Sequence, residues 1–323
     1  MNQYIGYVSQ DSADTTAERK HFDQKSDSEI FFIGSVKLDN GITASVNVQL
    51  EADANGGASD TFDESYLRLD TDLGQVRLGY TDPASLSVSV EAPYVGINPT
   101  NGDQAFWIAN PTDNVAGVGG STIGGGDENR VYYVTPKIAG FTGAASYAAS
   151  TTDAQTQPLV NEPAQTDLGL QWAGAVGDFA LRASAGYWWN EGSTSTDSGS
   201  NRNLRFGGDV TFADFTVGAG WLRRSAKSGA TAGSDATSWN VGVAYKPGPF
   251  AVSLTYYSAE AEGSRTVAGD DTSRRYVFGG TYSIGPGVEL MTNVLYHNIQ
   301  DEANARSAEN KGVAVIGGIQ LAF

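Results

Sequence analysis

The sequence of 323 residues predicts an all-β protein, a 16-stranded antiparallel transmembrane β-barrel that forms a single domain over residues 1–323. Roughly sixteen segments alternate between apolar and polar residues with a period of two, which is typical of strands with one apolar face. Their connections alternate between turns of about two to five residues and longer polar loops, the pattern of a membrane barrel with turns on one rim and loops on the other. No run of 18 apolar residues is present, so strands rather than helices are expected to cross the membrane.

Composition narrows the function classes. Cysteine is absent, which excludes a disulfide scaffold and a thiolate metal site. The net charge of −17 argues against nucleic acid as a partner, because nucleic-acid binding needs a basic surface. Met1 is followed by NQYIGYVSQ, which has neither a charged n-region nor an apolar h-region, so we expect a mature or trimmed product.

The first strands show the alternation most clearly. A short strand over 3–10 is followed by a charged segment, interpreted as a loop over 11–27. The next strand, Ser28–Leu38, ends at the turn Asp39-Asn40-Gly41, since an Asn-Gly pair between alternating runs indicates a hairpin. The return strand, Ile42–Glu51, alternates without a lapse. The same unit recurs at Glu64–Asp70 and Gln75–Thr81, around the turn DLG.

Later hairpins follow the same plan. The predicted strands read RVYYVT, FTGAASYA, DLGLQWA, FALRASAGYWW, LRFGGDVTF, FTVGAGWLRR, SWNVGVAYK, FAVSLTYYS, RRYVFGGTYSI, VELMTNVLYH and GVAVIGGIQLAF. Predicted short turns lie near positions 40, 73, 138, 176, 213, 248 and 286, and predicted long loops span 11–27, 52–62, 82–129, 151–164, 191–202, 225–236, 260–272 and 300–311. An even number of strands places both termini at the periplasmic rim.

A soluble sandwich would show the same alternation, but three features favour the membrane. Arg68, Arg182 and Arg205 lie at mid-strand on the polar face, which suits a water-filled lumen. Aromatic residues gather near strand ends, as interfacial girdles do. Sixteen strands are too many for a barrel filled by side chains, and they fit an aqueous channel.

The segment from Asp82 to Asn129 interrupts the alternation. Prolines and glycines make it a loop, and a loop of this length in a compact domain is usually functional or disordered. Its apolar residues, among them Val95, Phe106 and Trp107, argue against disorder. We therefore expect the loop to fold back against the barrel.

Three segments together resemble a Gram-negative trimeric general porin of the alpha-proteobacterial type. They are SDSEIFFIGSVKLDNGITASVNVQLE (Ser26–Glu51), DESYLRLDTDLGQVRLGYTD (Asp63–Asp82) and the last strand, which ends in Phe323. The resemblance covers essentially the whole chain. It implies a homotrimer in the outer membrane and a third loop, 82–129, that folds into the lumen and narrows it.

The resemblance also implies that acids on this loop face a basic cluster on the opposite wall. The matching residues are Glu91, Asp103, Asp113 and Asp127 on the loop, and Lys37, Arg68, Arg77 and Arg130 on the wall. Pleat parity independently places these four cations on the polar face, although Lys37 and Arg77 lie near turns and equally suit a vestibule. Opposed charges across a narrow pore would orient dipolar solutes and set ion preference.

The function that follows is passive diffusion of ions and small hydrophilic solutes, with weak cation selectivity. A substrate-selective porin for a sugar, phosphate or organic ion, and a barrel that conducts nothing, remain alternatives. A hydrolase would need a nucleophile with a positioned base, and the two histidines, His21 and His297, are predicted at a loop and a strand end, where exposed or rim positions are expected. Expected partners are outer-membrane lipid and lipopolysaccharide. No cofactor or metal site is predicted, except that the acidic loops DDTSRR and DEANARSAEN are candidates for holding Ca²⁺.

Overall fold

The computed structural model describes residues 1–12, 20–52, 62–100, 103–111, 126–150, 163–191, 200–226, 235–263, 269–302 and 309–322. Part of each predicted long-loop segment, Asp113 and the terminal Phe323 lie outside these residues. The strands are β1 Asn2–Ser12, β2 Phe22–Asp27, β3 Glu29–Lys37, β4 Thr43–Glu51, β5 Phe62–Thr71, β6 Gly74–Thr81, β7 Glu128–Val134, β8 Phe141–Ala148, β9 Gln165–Val176, β10 Phe179–Asn190, β11 Asn201–Phe212, β12 Phe215–Ala226, β13 Ala236–Tyr245, β14 Phe250–Ala261, β15 Asp271–Gly285, β16 Val288–Gln300 and β17 Asn310–Leu321. One short helix, α1 Ala84–Ser87, and a 3-10 turn, Asp103–Phe106, follow β6.

Each strand pairs antiparallel with its neighbours, and the pairing of β1 with β17 closes the barrel. Ser28 alone separates β2 from β3. Because β2 pairs with β1 and β3 pairs with β4, the two segments act as one continuous strand of the barrel. Counted in this way, the seventeen described strands make a barrel of sixteen strands, which confirms the predicted barrel. Closure leaves no free sheet edge among the described strands.

The predicted loop over 11–27 is too long, because residues 22–27 are the strand β2. The charges of the segment FDQKSD suggested a loop. Asp23, Lys25 and Asp27 share one face of β2, in register with Gly6, Tyr4 and Asn2 of β1. Charged residues are compatible with a strand when that face meets water, as the inner face of this barrel does.

The outer face is apolar and the inner face is polar. Along β14 and β15, exposed residues such as Leu254 and Phe278 alternate with buried polar ones such as Thr255 and Ser273. Register places the three arginines of the polar face, Arg68, Arg182 and Arg205, on the inner side, as predicted. This arrangement inverts that of a soluble protein and suits a barrel with lipid outside and water inside.

Aromatic side chains form two bands on the outer face. Near the short turns, Phe215 stacks on Tyr245 with ring centroids 4.2 Å apart, and Phe250 stacks on Tyr282 at 4.7 Å. Toward the other rim the pairs are Trp239–Tyr256, Tyr256–Tyr276 and Tyr187–Trp189, at 5.0, 4.6 and 5.4 Å. These bands are the expected girdles at the two membrane interfaces. Among the described residues, no helix has the length and apolar character needed to cross a membrane.

The buried apolar residues lie between the long loop and the barrel wall. Trp107 and Ile108 of the loop pack against Val8, Leu295 and Ile316 of β1, β16 and β17. A smaller cluster joins the start of the loop to β7 and β8 through Ala84, Val88, Tyr132 and Ala144. The core thus fixes the loop inside the barrel, as the apolar content of the loop predicted.

Candidate functional site

After β6 the chain runs along the inner wall of the barrel from β8 to β1. Its backbone N–H groups donate to inward-facing side chains on β8, β9, β10, β13, β14 and β1. These bonds join Ala84 to Ser146 (3.2 Å), Ser85 to Asp167 (2.6 Å), Val90 to Ser184 (2.8 Å), Ala92 to Asn240 (2.8 Å), Val95 to Ser253 (2.9 Å) and Ala109 to Gln10 (3.3 Å). An extended segment with no sheet partner of its own needs such acceptors. The predicted folding of the loop into the lumen is confirmed.

Two wall glycines allow the loop to approach closely. A Cβ added to Gly207 of β11 would lie 1.7 Å from the carbonyl oxygen of Val90. At Gly279 of β15, an added Cβ would lie 1.9 Å from the carbonyl oxygen of Val95. Only glycine leaves room for backbone at these distances.

Glu91 is held by the wall directly beneath it. One carboxylate oxygen accepts a hydrogen bond from Arg205 of β11, and the other accepts from Thr100 Oγ1 at 2.7 Å. Arg205 is 1% exposed, so its charge is compensated inside the protein rather than by water. Glu91 therefore anchors the loop, and Arg205 is a site residue that the sequence analysis does not assign to the loop contact. Its position at mid-strand on the polar face was the available signal.

Arg130 does not line an open pore, which corrects the prediction. It is 3% exposed beneath the start of the loop, where Nε donates to the carbonyl of Thr81 at 2.8 Å and Nη2 donates to Gln165 at 2.9 Å. Its Nη1 lies 3.9 Å from Asp167. The guanidinium joins β6, β7 and β9 where the loop leaves the wall, because a buried cation needs several acceptors.

Asp82 and Asp127 lie at the two ends of the loop, and their carboxylates form a cluster with the carboxylate of Glu64. Thr81 Oγ1 donates to Glu64 at 2.5 Å. Burial, followed by repulsion from Asp82, raises the pKa of Asp127 to about 7. Burial, followed by repulsion from Glu64, raises the pKa of Asp82 to about 6. The negative charge at this mouth of the lumen therefore varies near neutral pH.

The other three predicted cations lie on the inner face of β3, β5 and β6. Lys37 is exposed at the end of β3. Arg68 pairs with Asp70, with Nε 2.8 Å from a carboxylate oxygen. Arg77 faces Arg68 in register, and its guanidinium lies between two tyrosine rings. This part of the wall carries the predicted basic group without Arg130.

Among the described residues, the uncovered part of the inner wall lies on this side of the barrel. The inner residues of β3, including Phe31 and Ile33, are exposed, whereas the inner residues of β15 and β16 are buried beneath the loop. Asp103 begins the 3-10 turn, but its side chain is not among those described, and Asp113 lies outside the described residues. The proposed roles of the predicted acids and cations in a constriction stay predictions.

His297 lies beneath the loop instead of at an exposed rim. Its Nε2 accepts from Arg275 Nε at 3.2 Å and lies 2.8 Å from Ser273 Oγ. Arg275 also donates through Nη1 to the carbonyl of Pro99 at 3.0 Å. Ser273, Arg275 and His297 together hold the loop to β15 and β16. Sequence periodicity does not predict this contact, because the group that accepts from Arg275 on the loop is a backbone carbonyl.

A carboxylate cluster lies between two long loops. Asp271, Asp301 and Glu302 place ligand oxygens within 4.8 Å of one another. A hydrogen bond that the protonated Glu302 carboxyl donates to Asp271 raises the pKa of Glu302. Oxygen ligands at this spacing suit a divalent cation. Binding of Ca²⁺ at the predicted loops stays a prediction.

Comparisons with known proteins agree with this architecture. The Gram-negative porin family model matches residues 1–302. No curated protein sequence matches the chain. Among solved structures, the anion-selective porin from Comamonas acidovorans is 16% identical with a TM-score of 0.69, and the match covers 100% of this chain and 97% of that one.

Two further structures show the same fold. A triple mutant of Rhodopseudomonas blastica porin is 16% identical with a TM-score of 0.59, covering 100% of this chain and 98% of that one. Vibrio cholerae OmpT, an outer membrane protein in a trimer form, is 13% identical with a TM-score of 0.64, covering 99% and 98%. The chain therefore belongs to the Gram-negative porin family and is an integral outer-membrane β-barrel that forms a porin channel.

Proposed function

We propose that the channel passes ions and small hydrophilic solutes by passive diffusion, with a weak preference for cations. The observation that carries the preference is a second acidic cluster on the inner wall. Glu29, Glu51 and Asp63 place carboxylate oxygens within 4.8 Å of one another on β3, β4 and β5. Such a concentration of negative charge raises the local cation concentration and repels anions.

The reversal potential across a KCl gradient in a planar bilayer tests this preference. We expect the cation side, and a smaller potential after Glu29→Gln combined with Asp63→Asn. Asp214→Asn, in the turn between β11 and β12, is the matched control and should leave the potential unchanged. A wild-type reversal potential on the anion side contradicts the proposal.

We further propose that the protein is a homotrimer. Toward the short turn, the outer face of β3 and β4 carries small apolar residues, Gly34, Val36, Ala44 and Val46. The trimer form of the OmpT structure supports the same assembly. Val46→Phe should block contact between subunits, whereas Val217→Phe, on the outer face of β12, should not. Mass in mild detergent decides, and a trimeric Val46→Phe protein refutes this interface.

Outer-membrane lipid and lipopolysaccharide are the proposed surface partners. Arg223 and Arg274 face outward near the aromatic band on the long-loop side, and both are exposed. Arginine at this depth suits the phosphates of lipopolysaccharide. Arg274→Gln should lower the lipopolysaccharide retained in native mass spectra, whereas Arg68→Gln, in the lumen, should not. Equal retention by both variants contradicts this assignment.

We also propose that the chain has no hydrolytic activity. The one described contact of a serine with a histidine, Ser273 with His297, is fully buried beneath the loop and fixed by Arg275. A nucleophile must reach its substrate, and this serine has no path to one. Hydrolysis of an ester probe that is abolished by Ser273→Ala would overturn this assignment.

A further inference from the structure

Two apolar side chains lie on the wet face of β3. Phe31 and Ile33 pair in register with Gln49 and Asn47 of β4, and directly paired residues of an antiparallel ladder project to the same face. Phe31 is 51% exposed and Ile33 is 73% exposed. An apolar side chain left in water adds no burial energy to folding, so stability does not account for this pair.

A rigidly held cation lies on the same wall. Asn47 Nδ2 donates to the hydroxyl of Tyr66 at 3.1 Å. The Arg77 guanidinium carbon lies 4.8 Å from the ring centre of Tyr66 and 4.5 Å from that of Tyr132. Its Nε donates to Gln75 at 2.8 Å. These contacts fix the plane of the guanidinium, whose two terminal nitrogens match the two oxygens of a carboxylate.

The apolar pair lies two strands from Tyr66, whose ring holds the cation. Ile33, Asn47 and Tyr66 lie in one register row across β3, β4 and β5, so Ile33 is two strand spacings, about 9.6 Å, from Tyr66. Side chains that project into the lumen shorten the gap to Arg77. A ring with a carboxylate substituent spans such a distance.

We propose that Phe31 and Ile33, together with Arg77, form a subsite in the lumen that selects organic anions with an apolar body over polyhydroxylated anions of similar size. The apolar body lies against Ile33 and Phe31, while the carboxylate binds Arg77. The carboxylates of Glu29, Glu51 and Asp63 attract cations to the long-loop end of these strands, but at the subsite itself Arg77 repels an apolar cation. A hydrophilic anion gains only the arginine contact. The subsite rests on the channel function proposed above and assigns a solute class to it.

Block of the KCl current in planar bilayers by two anions tests the subsite. Cyclohexanecarboxylate carries an apolar ring, and gluconate carries hydroxyl groups on a chain of similar size. Covering roughly 40 Å² of ring against the apolar pair corresponds to about a fivefold lower half-blocking concentration for cyclohexanecarboxylate. Cyclohexylammonium should block less than cyclohexanecarboxylate.

Variants identify the residues. Ile33→Asn and Phe31→Gln copy the facing residues of β4, so they suit the strand, and we expect them to remove the fivefold difference. Ser35→Asn, on the same face of β3, is the matched control and should keep it. Arg77→Gln should weaken block by both anions.

The outcomes separate the two claims. Equal block of the wild-type channel by both anions, or an unchanged ratio in Ile33→Asn, overturns the subsite while KCl conductance still supports the channel. Stronger block by cyclohexylammonium overturns the role of Arg77. Absence of KCl conductance in the wild type would instead refute the channel function.

Discussion

Gly207→Ala tests whether the loop is seated directly on the wall. Gly207 lies on the inner face of β11, in register with Ser184 of β10. The loop crosses the wall at this point, where Val90 N–H donates to Ser184 Oγ at 2.8 Å. A methyl group at position 207 must therefore enter space that the loop backbone occupies.

The displacement follows from the geometry. The added Cβ lies 1.7 Å from the Val90 carbonyl oxygen, and because real Cβ contacts are essentially never under 3.0 Å, the oxygen must retreat by about 1.3 Å. The same retreat stretches the bond of Val90 to Ser184 beyond the limit of about 3.5 Å. Overpacking costs about 1–3 kcal/mol of unfolding free energy, and the lost bond costs about 1 kcal/mol. Since the wall lies on one side, the loop can move only into the lumen.

Single-channel conductance measures this movement, and we expect Gly207→Ala to conduct less than the wild type and to unfold at a lower temperature. Gly317→Ala is the matched control, because a Cβ at this strand glycine meets nothing within 4 Å. Gly279→Ala repeats the test at a second crossing, where the added Cβ lies 1.9 Å from the Val95 oxygen. Wild-type conductance in both loop-contacting variants would refute the seating of the loop.

Three further predictions concern the loop and its charges. Glu91→Gln leaves Arg205 buried without a carboxylate and should lower the free energy of unfolding by about 3–5 kcal/mol, and Glu91→Gln with Arg205→Met should recover most of it, as measured by denaturant titration. The pKa values of Asp127 and Asp82 are raised from 3.8 to about 7 and about 6, so the folded state binds more protons than the unfolded state in this range. The free energy of unfolding should therefore rise, and cation preference should fall, as pH falls from about 7 to 4. Asp127→Asn should flatten the pH dependence of the reversal potential. Trp107→Ala removes the largest apolar anchor of the loop and should lower the free energy of unfolding by about 3–5 kcal/mol, and with it the melting temperature. An unchanged melting temperature would exclude Trp107 as an anchor.

The barrel could be predicted from the sequence because strand alternation depends on local chemistry. Ile42–Glu51 shows both faces within one strand, and an Asn-Gly turn fixes its register with the preceding strand. Of the continuous strand formed by β2 and β3, the sequence predicts only the β3 part, because the charges of Asp23 and Lys25 are typical of a loop unless the inner face is known to meet water. The apolar residues of the loop predicted its burial for the same local reason.

The anchoring contacts could not be predicted from the sequence alone. Ser184 and Asn240 look like ordinary polar residues of a lumen face. Their partners are backbone N–H groups 94 and 148 residues away in the chain, and the position of these groups depends on the whole barrel. The burial of Arg130 depends in the same way on where the loop leaves β6. Opposed charge across a gap was expected of Glu91, but the nearest cation is on the wall beneath it.

The inner face of the barrel therefore serves two different surroundings, and its residue types divide accordingly. Beneath the loop, strands carry serine, asparagine and glycine, such as Ser253, Asn240 and Gly207, which bind or accommodate a backbone without adding charge. The charge of Arg205 there is compensated by Glu91, because burial makes an isolated charge costly. On β3 to β6 the inner face meets water, so Arg68 and Arg77 can face each other in register. Uneven seating of the loop thus leaves the uncovered part of the inner wall on one side of the barrel.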